Sequence, residues 1–260
     1  MIPIPLRELA AACEAEAVGD WPPDDLIISV SSDTRVIGPH SLFVALKGER
    51  FDGHDFLPEA AARGASAAIV STVPMSGPLP LLRVPDTLTA LGLLGRHVRQ
   101  VSGVRIVGVT GSVGKTTVKE MTALVLESSF HTLKSEANQN NEIGVPATLI
   151  RLESDHQAAV LEMGMRGPGE IQYLSEIAQP DAAIITNIGV AHIGRLGSRD
   201  AIAAAKAEIF VGMKREGCAI LNRDDDYFPQ LSGGAGRVLS FGMDARADIR
   251  ACAIEDRGFG

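Results

Sequence analysis

Residues 108–117 read GVTGSVGKTT, directly after the apolar run Arg105–Val109 and before a helix-like stretch. A glycine-rich turn at such a junction lets backbone N–H groups converge on phosphate oxygens at a helix N-terminus. Gly111, Ser112, Val113 and Gly114 would form the cradle, Lys115 would add a point charge, and Thr116, with Thr117 beside it, would offer a hydroxyl to Mg²⁺. The general phosphate-loop spacing has glycine where this chain has Val109, so the match is incomplete. The plain alternative is a tight strand-to-helix turn with a surface lysine. Glycines, lysine and paired threonines coinciding at one junction weigh against it.

Three further side chains could work beside such a cradle. Glu162 closes AAVLE, where a strand would emerge at the carboxyl edge of a sheet. A carboxylate there can hold a hard metal ion, or it can be solvated surface. His192 follows the next apolar run, AAIITNIG, and would emerge at the same edge as a ligand or as a hydrogen-bonding loop residue. Lys206 breaks a pattern: Ile202, Lys206, Ile209 and Met213 recur at i, i+4, i+7 and i+11, which puts the lysine in line with an apolar stripe. It either snorkels to the rim or is partly buried. A partly buried lysine loses its proton more readily, and the neutral amine could take up carbon dioxide as a metal-binding carbamate. Between cradle and Glu162, Asn138, Asn140 and Asn141 offer uncharged amides suited to a sugar or peptide. The same segment also reads as a turn, since Gly144 and Pro146 follow.

These groups share an edge only if their runs are parallel strands of one sheet. Strands are expected at Arg105–Val109, Ala158–Leu161, Ala182–Ile188 and Cys218–Leu221, with helices at Lys115–Ser128, Gly169–Ala178 and Arg199–Lys214. That alternation argues for an α/β fold with a doubly wound, mainly parallel sheet, whose ligands bind beyond the carboxyl ends of the strands. An amphipathic stretch from Pro85 to Val101 ends at Ser102-Gly103, which divides the chain into residues 1–103 and 104–260. The first part alternates apolar runs (Leu26–Val30, Leu42–Leu46, Ala67–Val70, Leu81–Val84) with helix-like stretches at Leu6–Ala17 and Phe56–Arg63, and reads as a small α/β domain.

At 260 residues, 45% hydrophobic and 22% charged, the chain is long enough for one or two folded domains. Its net charge of −8 is spread evenly, with 8 basic against 12 acidic residues to Gly103 and 16 against 20 after it, so no nucleic-acid partner is expected. Aromatics at 4% are too few for a stacking platform. Cys13, Cys218 and Cys252 form no CxxC or Cys/His cluster and read as reduced thiols. Arg7 and Glu8 precede any apolar run, and the stretch Ala182–Ile193 is shorter than the roughly 20 residues that span a bilayer. A soluble cytoplasmic protein with no membrane partner is expected.

Taken in order, VTGSVGKTTVKEM, NQNNEIGVPATL, LEMGMRGPGEIQYL, ITNIGVAHIGRLGS and AKAEIF resemble the Mur ligases, ATP-dependent amide-forming enzymes of bacterial peptidoglycan synthesis. The departure at Val109 is one that family shares. Residues 31–56, SSDTRVIGPHSLFVALKGERFDGHDF, resemble the family's uridine-binding domain. The resemblance implies that Lys115 and Thr116 bind the ATP phosphates and a first Mg²⁺, that Glu162 ligates Mg²⁺ and His192 a second ion, and that Lys206 is carbamylated to complete the metal site. It places Asn138 and Asn141 against a muramoyl-peptide, and Ser32, Thr34, Arg35, Lys47 and His54 at the uridine diphosphate end. It implies UDP-N-acetylmuramoyl-tripeptide and D-alanyl-D-alanine as substrates, an acyl phosphate between them, and a monomeric enzyme.

Family members have three domains, and this chain stops before the central one is complete, so the first two-thirds of such a ligase is expected. Two rival readings stay open: a chain that binds UDP-sugar and nucleotide without turnover, and a related synthetase such as a folylpolyglutamate synthase or the neighbouring tripeptide-forming Mur ligase. The NQNN segment and the uridine-type first domain argue against the folate enzyme. A regulatory GTPase would need an NKxD-like base-reading motif, and none is visible.

Overall fold

The computed structural model describes residues 1–74, 77 and 79–255, so the last five residues of the expected second domain lie outside it. Two compact units emerge, one of Met1–Val104 with Glu142–Gln157, the other of Arg105–Asn141 with the chain from Ala158. A single cut at Gly103 does not describe this division, because residues 142–157 return to the first unit.

The first unit runs β1 (Ile4–Pro5), α1 (Leu6–Ala12), β2 (Glu16–Val18), β3 (Leu26–Ile27), β4 (Ser29–Ser31), β5 (Ser41–Val44), α2 (Leu57–Ala62), β6 (Ala67–Val70), β7 (Leu81–Arg83) and α3 (Thr87–Ser102). Five strands form a sheet in the order β2-β7-β6-β5-β4, parallel except for β2. β5 and β6, SLFV and AAIV, are buried at every position, as strands covered on both faces must be. The expected helix Leu6–Ala17 is shorter in the structure. Glu14 takes a left-handed φ of +53°, which turns the chain so that Glu16–Val18 pair with β7 instead.

α3 starts at Asp86, whose carboxylate accepts the Thr89 N–H at 2.6 Å, and ends at Gly103 with φ +66°. Its Gly95 lies against the helix Gly144–Ile150, where a Cβ would stand 2.8 Å from Pro146 Cα. Alanine raises helix propensity by about 1 kcal/mol, but forcing two backbones apart costs about 1–3 kcal/mol. Gly95→Ala is therefore expected to lower the thermal midpoint, and an unchanged or higher one would refute the close packing.

The second unit runs β8 (Arg105–Thr110), α4 (Lys115–Glu127) and β9 (Thr132–Lys134). After α5 (Gly144–Ile150), which belongs to the first unit, it resumes with β10 (Ala158–Glu162), α6 (Glu170–Ala178), β11 (Ala182–Ile185), α7 (Ile193–Leu196), α8 (Arg199–Ala207), β12 (Cys218–Asn222), α9 (Phe228–Gly234), β13 (Arg237–Gly242) and β14 (Ile249–Arg250). Seven strands line up as β14-β13-β12-β11-β8-β10-β9, every pairing parallel. This is the doubly wound sheet expected from the alternation of elements. Val109, Val160 and Ile184 of the sheet pack with Ala123 of α4.

The helix expected over Arg199–Lys214 stops at Ala207 and tightens into a 3-10 turn, Glu208–Phe210. Ser175 of α6 explains the stop. Its hydroxyl donates to the Ile209 carbonyl at 2.6 Å and accepts the Gly212 N–H at 3.1 Å, and a Cβ on Gly212 would lie 2.1 Å from the Ser175 backbone. No helix among the described residues is long and apolar enough to cross a membrane.

Candidate functional site

β8 sits where the chain reverses across the sheet: β9 and β10 continue to one side, β11 to β14 to the other. The crevice at the carboxyl ends of β8, β10 and β11 is where a doubly wound sheet binds ligands. The loop of residues 111–114 opens into it from β8. Gly111 has φ +146°, and a Cβ there would lie 1.9 Å from Thr186 Oγ1, so only glycine fits. Gly114, φ +83°, turns the chain into α4. The loop is braced by the segment after β11. Ser112 N–H donates to the Asn187 carbonyl at 3.0 Å, and Val113 N–H to Asn187 Oδ1 at 3.1 Å. Thr186 Oγ1 donates to the Val113 carbonyl at 2.7 Å, and Gly189 N–H to Ser112 Oγ at 2.9 Å. Lys115 Nζ folds back onto the Gly111 carbonyl at 3.0 Å.

Glu162, the last residue of β10, is 3% exposed. Its Oε2 accepts the Thr116 hydroxyl at 2.8 Å and its Oε1 the Asn140 amide at 2.9 Å. The structure thus joins the two residues expected at the first metal ion through one hydrogen bond. A cavity of about 310 Å³ opens beside them, lined by Lys115, Asn140, Asn141, Glu170, His192 and Lys206 among others. Asn141 reaches this cavity; Asn138 is exposed and does not line it.

Lys206 is 2% exposed, so the buried alternative to a snorkelling lysine is the one observed. Burial pushes its ammonium down to about 8, and like charge on Lys115 adds to the effect. Among the described residues no acceptor or carboxylate pairs with it. His192 is exposed, with a left-handed φ of +68°, and its imidazole is held below its ordinary pKa by burial first and then by Lys206, Lys115 and Arg195. That favours the neutral ring, the form that can ligate a metal. The oxygen donors Thr116 and Glu162 suit a hard divalent cation. The unpaired Lys206 ammonium does not, and carbamylation would turn that mismatch into an anionic ligand.

In the first unit, Ser32, Thr34 and Arg35 follow β4 while Lys47 and His54 follow β5, at the carboxyl ends of two parallel neighbours. Thr34 is buried, and the exposed Arg35 grips Asp33, holding its carboxyl down to about 2. His54 is engaged at both nitrogens. Nδ1 meets Asp52 Oδ1 at 2.5 Å, and Nε2 accepts the Ser71 N–H at 3.0 Å. Lys47 Nζ stands 4.0 Å from Asp52.

Of the three asparagines the sequence offered, Asn140 rather than Asn138 meets Glu162. Three contributors were not singled out from the sequence: Asn187 braces the loop, and Lys119 and Ser135 lie behind Glu162. Two carried a signal: Asn187 stands two residues past the end of β11, and Lys119 lies four residues from Lys115 on one helix face.

Residues 109–260 match the Mur ligase middle domain, and residues 27–98 match the Mur ligase family catalytic domain. The chain is 45% identical over 226 residues to the UDP-N-acetylmuramoyl-tripeptide--D-alanyl-D-alanine ligase of Escherichia coli (strain K12), covering 87% of this chain and 49% of that protein. It is 46% identical over 205 residues to the protein of the same name from Bacillus subtilis (strain 168), covering 77% and 44%. Crystal structure II of MurF from Acinetobacter baumannii superposes with a TM-score of 0.89 at 39% identity, covering 97% of this chain and 55% of that one. MurF ligase from Thermotoga maritima in complex with ADP gives 0.77 at 33%, covering 83% and 50%. The chain spans about half the length of the relatives it matches.

Proposed function

The chain belongs to the Mur ligase family, and from that premise we propose that it serves ATP-dependent amide formation in peptidoglycan precursor synthesis, joining D-alanyl-D-alanine to UDP-N-acetylmuramoyl-tripeptide. The observation that carries the reading is the convergence of Lys115, Thr116–Glu162, His192 and the buried Lys206 on one crevice. ATP phosphates would lie on the N–H groups of residues 114–117 at the start of α4, since the N–H groups of Ser112 and Val113 are taken by Asn187. Thr116, Glu162, His192 and carbamylated Lys206 would hold Mg²⁺, two ions in all, which supply positive charge where two anions must meet.

The peptide's terminal carboxylate oxygen attacks the γ-phosphorus, ADP leaves, and an acyl phosphate forms. The amine of D-alanyl-D-alanine, having lost its proton, attacks the acyl carbon. Phosphate departs from the tetrahedral intermediate as the amide forms. Lys115 neutralises charge on the transferring oxygens. Asn141 faces the muramoyl-peptide from the cavity wall, with Asn138 nearby in sequence, and Ser32, Thr34, Arg35, Lys47 and His54 serve the uridine diphosphate end of the first unit. With both His54 nitrogens occupied, that residue acts by shaping its loop. The setting is a cytoplasmic monomer.

The test is to incubate the chain with ATP, UDP-N-acetylmuramoyl-tripeptide and D-alanyl-D-alanine, with and without the C-terminal half of the Bacillus subtilis relative. Amide product and matching phosphate release are expected in the supplemented tube. ATP and UDP-sugar binding by calorimetry with phosphate release in neither tube would favour a binding chain without turnover. Absence of ATP binding would sink both readings.

A further inference from the structure

Behind Glu162 lies a break in the sheet that the proposed chemistry does not use. β9 and β10 pair in parallel with Val160 opposite Lys134, and the Ser135 N–H donates to the Val160 carbonyl at 3.0 Å. A continuing parallel ladder would next send the Glu162 N–H to the Ser135 carbonyl. Instead the Glu162 N–H donates to the Ser135 hydroxyl at 3.0 Å, and the Ser135 carbonyl accepts Lys119 Nζ at 2.8 Å. Lys119 and Ser135 are both fully buried, and the ammonium also lies 2.9 Å from Glu120 Oε1. A buried cation is costly even when a half-exposed carboxylate such as Glu120 offsets its charge, so one aimed at a strand-end carbonyl calls for a function. β9 leaves β10 at this point, and the chain that departs carries Asn140 back onto Glu162 Oε1.

We infer that Lys119 and Ser135 are positioning residues: by replacing one ladder bond they part the strand edge and fix Glu162 in the orientation that receives a divalent cation. The inference rests on the metal role proposed above for Glu162. Neither residue touches substrate or metal. They act through the Glu162 backbone and the course of residues 135–140.

The test uses Mn²⁺ as probe, its affinity read by electron paramagnetic resonance on this chain with ADP present, beside calorimetry of ADP without metal. Ser135→Ala and Lys119→Met are each expected to weaken Mn²⁺ binding about tenfold, the scale for residues supporting a ligand from behind. ADP affinity without metal should stay within twofold, a split that general loosening of the fold would not produce. Mn²⁺ affinity unchanged in Ser135→Ala, or an equal loss of metal-free ADP binding, overturns the inference. If Glu162→Gln loses Mn²⁺ while Ser135→Ala does not, the inference alone fails. If the unaltered chain binds no Mn²⁺ with ADP, the metal role of Glu162 fails, and the inference with it.

Discussion

Lys115→Ala is expected to cost this chain most of its hold on ATP while leaving its fold intact. The ammonium is half-buried, and its one hydrogen bond in the structure goes to the Gly111 carbonyl of its own loop. Alanine is a good helix former at the first position of α4, so the scaffold has little to lose. The phosphates lose a charge-assisted donor worth about 1.5–3 kcal/mol, or about 10- to 100-fold in affinity. In the supplemented turnover assay, a further loss of about 10²–10³-fold is expected from charge left unneutralised in the transition state. Calorimetry with ATP beside circular dichroism checks the pair of claims. ATP affinity within twofold of the unaltered chain would remove Lys115 from the phosphate site.

Lys206→Met should move stability and activity in opposite directions. The folded-state pKa of about 8 lies below the 10.5 of an unperturbed lysine, so between those values the unfolded chain binds more protons and stability rises with pH. Below about pH 8 both states are protonated, and the buried ammonium carries its full penalty, about 3 kcal/mol from the size of the shift. Methionine removes that penalty. The variant should therefore melt several degrees higher at pH 7, with the gain fading toward pH 10.5. Turnover should be lost, and for Lys206→Ala short carboxylic acids should restore part of it by standing in for the carbamate. At pH 7.5 a pKa near 8 leaves about a quarter of the amine neutral, against about one part in a thousand for an ordinary lysine, so carbon dioxide finds a reactive nucleophile. Calorimetric melting at pH 7 and 10 with ¹³C-bicarbonate NMR follows both arms. A variant that melts lower at pH 7 and keeps its turnover would end the argument.

The second sheet was legible because its strands are short aliphatic runs set off by glycine and polar residues, with helices of clear 3.6 periodicity between them. The carboxyl-edge placement of Glu162 and His192 followed from that alternation alone. Choosing among Asn138, Asn140 and Asn141 did not. The choice depends on a turn in which Ala137 takes φ +37° and on Gly164, where a Cβ would stand 3.0 Å from the Asn140 side chain. The helix Gly144–Ile150 was hidden because Gly144 and Pro146 spell a turn, yet six of its seven residues are buried in the first unit. Lys119 and Ser135 could not be paired from sequence, since sixteen positions separate them and only the packing of α4 beside β9 brings them together.

Because residues 142–157 complete the first unit from within the second, the polypeptide crosses between the two three times, after Val104, Asn141 and Gln157. A ribosome must deliver residue 157 before every part of that first body exists, so its final closure waits until residues 105–141 of the phosphate-binding half have been synthesised. A protease cutting once after Val104 frees no intact module: the piece carrying residues 1–104 lacks α5, which stays on the other fragment.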